Sequence, residues 1–532
     1  MFKETSLLHL TTYLLAIVVA LPFLVILLSW GDINQEIWAH LLDYLFLDLL
    51  TNTLWLIIGV GSGVLILGTT LAWLTTMCDF PGRSIFDWAL MLPFAIPAYV
   101  LAFVMLDLFS YGGSFYQAID IFFGGMIAPP DIQSTAGVIT VFVLVFYPYV
   151  YMLARTAFIS QGNRLLEAGQ SLGLTPLQAF LRIALPMARP AIAAGVALAL
   201  METLADFGAV SIFNYDTFTL AIYTSWDDFR SLSTAAQLSS LLLLFALMAL
   251  FGERAMRGQS KYHQTSGRAP YRFQLTGWRG WGTTIAISLV LFFSFITPVV
   301  QLLIWGAEVV QQELNSRYFE MLYHTLILGG SAALLAVLGA FALAMARRKR
   351  EDWKIEWVGR LITLGYALPG SVLAVGIMII FAKVGLAWSS IVEWLGGEAT
   401  SIMMQSVAAL LFAYLVRFLT VAHGPVESSL EQIKPSMEEA ARSLGESNGG
   451  VIRRIYLPIL TPGILMALLM VMIDVMKELP ATYLLRPYGW DTFAVRTYEM
   501  ASEGMWEHAA LPALSLVLVG LLPVILLVRR SR

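Results

Sequence analysis

The sequence is poor in charged residues and in the cysteine and histidine residues that commonly form metal and redox sites. Only 13% of its 532 residues are charged, Cys78 is the only cysteine, and the six histidines are scattered. A disulfide framework and a thiolate metal site are therefore excluded, and no short helical histidine spacing points to a metal. No G-x-x-x-x-G-K-[ST] phosphate loop occurs. If the protein works with ATP, another chain must hydrolyse it.

Apolar residues dominate instead, at 58% of the chain with a mean hydropathy of +0.75. A membrane-spanning helix needs about 20 mostly apolar residues. Runs of this kind predict an all-α polytopic membrane protein with about twelve transmembrane helices. They lie near Leu10–Leu28, Thr51–Thr76, Ile85–Leu108, Ala136–Phe158, Ala191–Phe213, Ala236–Phe251, Thr283–Trp305, Thr325–Ala346, Leu361–Lys383, Ile402–His423, Gly463–Leu485 and Ala509–Val528.

Basic residues indicate the orientation of these spans. They concentrate in alternate segments, and the remaining, outside segments contain only Arg230, Arg317, Lys383, Arg486 and Arg496. By the positive-inside rule both termini are predicted to be cytoplasmic.

The chain also contains an internal duplication in which residue numbers differ by a constant offset of 272. AIPAYVLA (95–102) falls on ALPGSVLA (367–374) at this offset. EAGQSLGLTPLQAFLRIALPMARP (167–190) falls on EAARSLGESNGGVIRRIYLPILTP (439–462), with ten of the twenty-four positions identical. Six spans per copy predict two parallel repeats. The predicted domains are residues 1–252, a basic cytoplasmic linker 253–280, and residues 281–532.

The duplicated segments, here called the first loop (167–190) and the second loop (439–462), interrupt the apolar sequence on the predicted cytoplasmic side. Each has Glu-Ala, a glycine six residues after the glutamate, and Ile-x-Leu-Pro ending thirteen residues after that glycine. Gly173 can end a first short helix, Thr175-Pro176 can open a second, and Pro186 is predicted to interrupt it. The alternative, a merely linking interfacial segment, is disfavoured by the recurrence.

These segments resemble the EAA loops of binding-protein-dependent ABC importer permeases, which have the type I importer fold. In that family each loop docks on a separate nucleotide-binding subunit. The resemblance implies ATPase-coupling roles for seven positions: Glu167, Ala168, Gly173, Glu439, Ala440, Ala441 and Gly445. Gly169 departs from the pattern, which has a second alanine there.

After each loop the next span has two carboxylates four residues apart, and the four obey the offset of 272: Glu202, Asp206, Asp474 and Glu478. Charge near the middle of a membrane is costly, so a water-filled or paired setting is expected. The four can face a substrate pathway between the halves, where carboxylates suit a hard cation. They can equally be structural, because Lys477 lies near Asp474 and Arg417 can reach another carboxylate.

The outside segments after these spans share Asp-Thr-Phe and a tyrosine seven residues after the aspartate, at 216–223 and 491–498. The offset is 275 here, so the second copy has a three-residue insertion. The repeated segment is predicted either to dock a solute-binding protein or close an outer gate, or to be a turn left by duplication.

Within the family, METLADFGAV with DTFTLAIYTSW, and MKELPATYLLRPYGWDTFAVRTYEM, look most like fused two-half permeases of ferric-iron importers. That resemblance implies Fe(III) as the transported substrate, a periplasmic iron-binding protein, and a homodimeric ABC ATPase that holds ATP and Mg²⁺. It places the chain in a bacterial inner membrane, without a bound cofactor or nucleic acid. Thiamine, polyamine, phosphonate or sulfate remain alternative substrates. A proton-coupled secondary transporter is the alternative of another class.

Overall fold

The computed structural model describes residues 2–124, 130–161, 173–257, 272–349, 353–395 and 405–531. In these ranges the regular structure is helical apart from one parallel pair of short strands, β1 (Cys78–Asp79) and β2 (Phe273–Gln274). Burial raises the pKa of the Cys78 thiol to about 11, which keeps it protonated at neutral pH.

Helices α1 to α12 precede the basic linker. They are α1 (Phe2–Leu28), α2 (Gln35–His40), α3 (Phe46–Met77), α4 (Arg83–Ala89), α5 (Ala98–Phe109), α6 (Ser114–Phe123), α7 (Thr135–Gln161), α8 (Pro176–Ala179), α9 (Leu185–Ala205), α10 (Gly208–Ile212), α11 (Phe218–Asp227) and α12 (Leu232–Arg257). Short 3₁₀ turns occupy Ser29–Gly31 and Leu92–Ala95, and π turns occupy Leu41–Leu45 and Phe180–Ala184.

Helices α13 to α24 follow the linker. They are α13 (Trp278–Leu291), α14 (Thr297–Glu313), α15 (Ser316–Lys349), α16 (Trp353–Thr363), α17 (Gly370–Trp394), α18 (Val407–Leu430), α19 (Pro435–Ser443), α20 (Asn448–Val451), α21 (Leu457–Lys477), α22 (Pro480–Leu485), α23 (Phe493–Ser502) and α24 (Trp506–Ser531). A 3₁₀ turn occupies Leu364–Ala367, and π turns occupy Phe292–Ile296 and Ile452–Tyr456.

Among the described residues, twelve helical stretches are long and apolar enough to cross a membrane. The prediction of a polytopic all-α membrane protein is thereby confirmed. The helix boundaries also carry the offset of 272: α9 and α21 coincide at both ends, as do the two π turns before them and the 3₁₀ turns Leu92–Ala95 and Leu364–Ala367. The duplication is therefore also visible in the structure, in the ends of equivalent helices and in the positions of the π and 3₁₀ turns.

Four of the predicted continuous spans are broken in the structure. The runs 85–108 and 361–383 are each interrupted by a 3₁₀ turn and a proline, Pro97 or Pro369, before α5 and α17 begin. Proline has no backbone N–H and pushes the preceding residue into extended conformation, and Ile96 accordingly has ψ 122°. The runs 191–213 and 463–485 end their helices at Ala205 and Lys477.

Contacts divide the chain into two compact units, each with helices from both sequence halves. One comprises residues 1–38, 222–240 and 314–495, and in it α1 packs against α15, α16 and α17. A Cβ on Gly376 of α17 would lie 3.1 Å from Pro22 of α1, so glycine permits this close approach.

The other unit comprises residues 39–221, 241–313 and 496–532. Its centre is α3, α7 and α9, which pack on one another, while α14 packs against α5 and α24. A Cβ on Gly195 of α9 would lie 2.7 Å from the Val150 Cα of α7, so only glycine fits at this crossing. Each compact unit therefore contains helices from both of the predicted domains, 1–252 and 281–532.

Candidate functional site

The second loop is entered through α19, whose exposed side chains form a small mixed surface. Glu439 and Ala440 are exposed and Ala441 is half-buried. Met437 is 40% exposed and Leu444 is 85% exposed, so this short segment exposes two large apolar side chains as well as the Glu439 carboxylate. A short helix with this composition suits insertion into a groove on another protein.

Gly445 ends α19 in a Schellman motif. The Glu446 N–H donates to the Ala441 carbonyl at 3.0 Å, and the Gly445 N–H donates to the Arg442 carbonyl at 3.0 Å. The φ angle of Gly445 is +86°, and nothing lies within 4 Å of where a Cβ would stand. Glycine is required here by the backbone angle, and the space beside it is open.

The first loop is described from Gly173 onward, and Glu167 and Ala168 lie outside the described residues. Gly173 has φ +78° and open space at its Cβ position, matching Gly445. Thr175 and Gln178 then form a reciprocal capping box: the Gln178 N–H donates to Thr175 Oγ1 at 3.4 Å and the Thr175 N–H donates to Gln178 Oε1 at 3.0 Å. The predicted opening of the second short helix is confirmed.

Proline does not end that helix as predicted. α8 continues through the π turn Phe180–Ala184 into α9, and Pro186 lies in the first turn of α9. The wide π turn before it accommodates the missing N–H of proline. In the second copy, α20 continues through Ile452–Tyr456 into α21 in the same way. Each loop is therefore continuous with a long membrane helix.

Sequence reasoning missed one residue directly before the second loop, Glu438, which stands beside the expected Glu439. Its carboxylate lies 3.2 Å from the Arg348 guanidinium at the end of α15 and accepts a hydrogen bond from the Tyr456 hydroxyl. The available signals were the Glu-Glu doublet and the basic run at 347–350, but neither indicates this pairing.

The continuous helices α9 and α21 end at equivalent carboxylates, Asp206 and Glu478. Both residues have extended backbone, with ψ 119° and 121°. Asp206 Oδ1 accepts the Ala209 N–H at 2.7 Å, and Glu478 Oε1 accepts the Ala481 N–H at 2.9 Å. Each carboxylate thus caps the short helix that follows, α10 or α22.

Glu478 is almost completely enclosed, with 2% of its side chain exposed. Besides the Ala481 N–H, it accepts the Thr482 N–H at 2.9 Å and the Thr482 hydroxyl at 2.6 Å, and it pairs with Arg417 Nη1 at 3.4 Å. Sequence analysis left open that Arg417 pairs with one of the four carboxylates, and the structure shows this pairing at Glu478. Glu202, Asp206 and Asp474 are half-buried.

Gly370 makes room for this ion pair. A Cβ at Gly370 would lie 2.4 Å from Arg417 Nη1 and 2.6 Å from Glu478 Oε1. At the equivalent positions the first half has Ala98, Val145 and Asp206, a set without arginine. The second half thus has a buried ion pair, and the glycine that makes room for it, where the first half has other residues.

The repeated Asp-Thr-Phe segments also occupy equivalent positions. Phe218 begins α11 and Phe493 begins α23. Asn52 Nδ2 donates to the Asp216 carbonyl at 3.0 Å. His324, which is equivalent to Asn52 at the offset of 272, places Nδ1 3.3 Å from the Asp491 carbonyl. The two turns are therefore held in the same way.

Their charges differ. Asp491 pairs with Arg317 at 3.2 Å and with Arg486. Asp216 instead lies near Asp48, and burial followed by that neighbouring carboxylate raises the pKa of Asp216. In the second turn two arginines compensate the charge of Asp491, whereas in the first turn Asp216 has a second acidic group, Asp48, nearby.

No group of three or more histidine, cysteine, aspartate or glutamate side chains with metal-binding geometry occurs within the described ranges. The described residues contain instead two glycine turns that precede long helices and two helix ends stabilised by carboxylates.

One protein family and several individual transport proteins are similar to this chain. Residues 64–304 and 336–531 match the model of the family "Binding-protein-dependent transport system inner membrane component". The Fe(3+)-transport system permease protein FbpB 2 of Haemophilus influenzae is 30% identical over 97% of this chain and 96% of its own. The ferric transport system permease protein FbpB of Actinobacillus pleuropneumoniae is 24% identical over 81% of this chain and 64% of its own. The sulfate transport system permease protein CysT of Salmonella typhimurium is 31% identical over 36% of this chain and 72% of its own.

Proposed function

The chain belongs to the family of binding-protein-dependent transport system inner membrane components, and from that premise we propose that it is the permease subunit of an ATP-driven importer of ferric iron. The observation that carries the proposal is the repeated loop. In the second loop the exposed helix α19 and the turn at Gly445 lead into a helix long enough to cross the membrane, and in the first loop the matching turn at Gly173 leads into an equivalent helix. ATP and Mg²⁺ belong to a separate homodimeric ATPase, and each loop contacts one of its subunits at the cytoplasmic face. Both termini lie on that face.

The geometry supports a mechanical path from the ATPase to the solute. From α20 to the end of α21, residues 448–477 are continuously helical, which corresponds to about 45 Å at about 1.5 Å per residue. A displacement of α20 is therefore transmitted along one continuous helix to the carboxylate at its far end. The same holds for α8, its π turn and α9.

Ferric iron is the substrate best supported. The ferric relative from H. influenzae is similar over nearly the whole of both chains, whereas the sulfate relative is similar over 36% of this chain. Glu202, Asp206 and Asp474 along α9 and α21 are half-buried carboxylic acids, and ionised carboxylates attract a cation and repel a sulfate dianion. Sulfate is the second candidate because of the similarity to CysT.

Substrate identity is tested by stimulation of the partner ATPase. The chain and its ATPase subunit are reconstituted in lipid vesicles, and the system's solute-binding protein is added loaded with Fe(III), loaded with sulfate, or empty. We expect the iron-loaded protein to raise the ATPase rate well above the rate with the empty protein, because loaded binding protein favours the transporting conformation. Stimulation by the sulfate-loaded protein alone would overturn the iron assignment and leave the permease assignment standing.

A further inference from the structure

A half-buried polar cluster joins the second loop to a helix outside it. The Arg348 guanidinium, in the last turn of α15, lies 3.2 Å from Glu438 Oε1. Its two terminal nitrogens also donate to main-chain carbonyls, to Leu430 at 2.8 Å and to Ile433 at 2.5 Å. The Arg348 side chain is 19% exposed and that of Glu438 is 24% exposed. One guanidinium thus links α15, the end of α18 and the helix that begins the second loop.

Tyr456 completes the cluster from the π turn within the second loop. Its hydroxyl donates to the same Glu438 oxygen, its ring lies 5.6 Å from the Arg348 guanidinium carbon, and only 5% of the residue is exposed. Tyr456 is the last residue of the π turn that leads into α21. The three side chains, here called the Arg348 cluster (Arg348, Glu438 and Tyr456), therefore hold the residue before the second loop and the π turn within it against α15.

The chemistry suits a rigid joint. Hydrogen bonds between ionised groups are shorter and stronger than neutral ones, and partial burial protects them from solvent. The planar guanidinium fixes its partners in direction as well as in distance, which an ammonium does not do. The loop's other described ion pair, Glu446 with Arg454, differs because the Arg454 side chain is 74% exposed. An exposed ion pair of that kind contributes little to the stability of the folded loop.

The cluster has no counterpart in the sequence of the first half. The equivalent positions at the offset of 272 are Thr76, Leu166 and Ala184, none of which has a charge or an aromatic hydroxyl. The cluster was therefore added to, or kept in, only one of the two loops.

We propose that Arg348, Glu438 and Tyr456 are positioning residues that make the second loop move together with α15 as well as with α21, so that one ATPase contact drives two membrane helices. The inference rests on the proposed function. Without the cluster, α19 can shift relative to α15, and ATP hydrolysis proceeds with less transport. The first half has Thr76, Leu166 and Ala184 at the equivalent positions, so on this proposal the two loops are mechanically unequal.

The experiment compares Glu438→Ala with the matched control Glu446→Ala on the same loop. Each variant is reconstituted with the ATPase subunit and the iron-loaded binding protein, and iron uptake and ATP hydrolysis are measured in the same vesicles. We expect Glu438→Ala to lower the iron transported per ATP by about three- to ten-fold, the size expected for loss of one coupling contact. Glu446→Ala should leave this ratio unchanged. A purely structural defect lowers both rates together and leaves the ratio constant.

Two further measurements test the proposal if the Glu438→Ala variant does not assemble with the ATPase subunit. Tyr456→Phe removes one hydrogen bond and keeps the ring, and it should lower the ratio in the same direction. Nitroxide labels at Leu338 on α15 and Ser443 on α19, both exposed, should give a narrow distance distribution that broadens in Glu438→Gln and not in Glu446→Gln. Unchanged ratios and unchanged distributions would overturn the inference. If the unmodified complex does not transport iron with ATP, the proposed function itself fails.

Discussion

Replacing Glu478 by alanine is expected to lower the free energy of unfolding by about 3–5 kcal/mol, the cost of removing one partner from a buried ion pair. The substitution takes away the acceptor of the Ala481 and Thr482 N–H groups and the anionic partner of Arg417. The measurement is thermal unfolding of the solubilised protein followed by tryptophan fluorescence. Glu356→Ala is the control, because the Glu356–Arg360 pair is 57% and 60% exposed and contributes little.

The first half supplies a rescue for this variant. Gly370→Ala, Arg417→Val and Glu478→Asp together install the residues found at the equivalent positions, Ala98, Val145 and Asp206. Neither the buried cation nor the glycine it requires is then present, and the shorter carboxylate can cap α22 as Asp206 caps α10. We expect the triple variant to be more stable than Glu478→Ala. A triple variant that is equally or less stable would contradict the equivalence of the two helix ends.

Replacing Gly445 by valine is expected to abolish iron uptake while the membrane helices stay folded. A β-branched residue is strained at φ +86°, by about 1–2 kcal/mol, and its side chain also fills the open space beside the turn. The loop then loses its Schellman turn and presents α19 wrongly to the ATPase. Uptake in reconstituted vesicles, with helicity followed by circular dichroism, measures the effect.

Gly445→Asn separates the two causes, because asparagine tolerates left-handed backbone but still has a side chain. Loss of uptake in both variants indicates that the partner occupies the space, and loss only with valine indicates that the turn matters. Normal uptake by Gly445→Val would contradict the assignment of the second loop as a coupling element.

Local patterns in the sequence were sufficient to predict the number of spans, the duplication and the turn at Gly173. They depend on apolar run length, a fixed offset and glycine chemistry, all of which are readable over a few residues. The breaks at Pro97 and Pro369 were also readable, since proline before a helix favours a start at that point. Hydropathy alone predicts continuous runs there, because it takes no account of the backbone restrictions that proline imposes.

Other features depend on contacts between distant positions. Nothing in residues 10–28 indicates that α1 packs against α15 to α17, because a lipid-facing helix and a partner-facing helix have similar composition. Arg348 and Glu438 are 90 residues apart and lack equivalents in the first half, so the duplication could not reveal their pairing. The spacing of Asp474 and Glu478 placed both on one face but could not show that Glu478 caps a helix.

The central claim is that an external ATPase moves this permease through its two loops. The most direct measurement is iron uptake into vesicles that contain the chain, with or without its ATPase subunit, under ATP or under an imposed proton gradient. The account predicts uptake only with the ATPase and ATP, unaffected by a proton uncoupler and lost when Glu167, Gly173, Glu439 and Gly445 are replaced together. Uptake driven by the proton gradient without the ATPase, and unchanged in that fourfold variant, would contradict it and identify a secondary transporter.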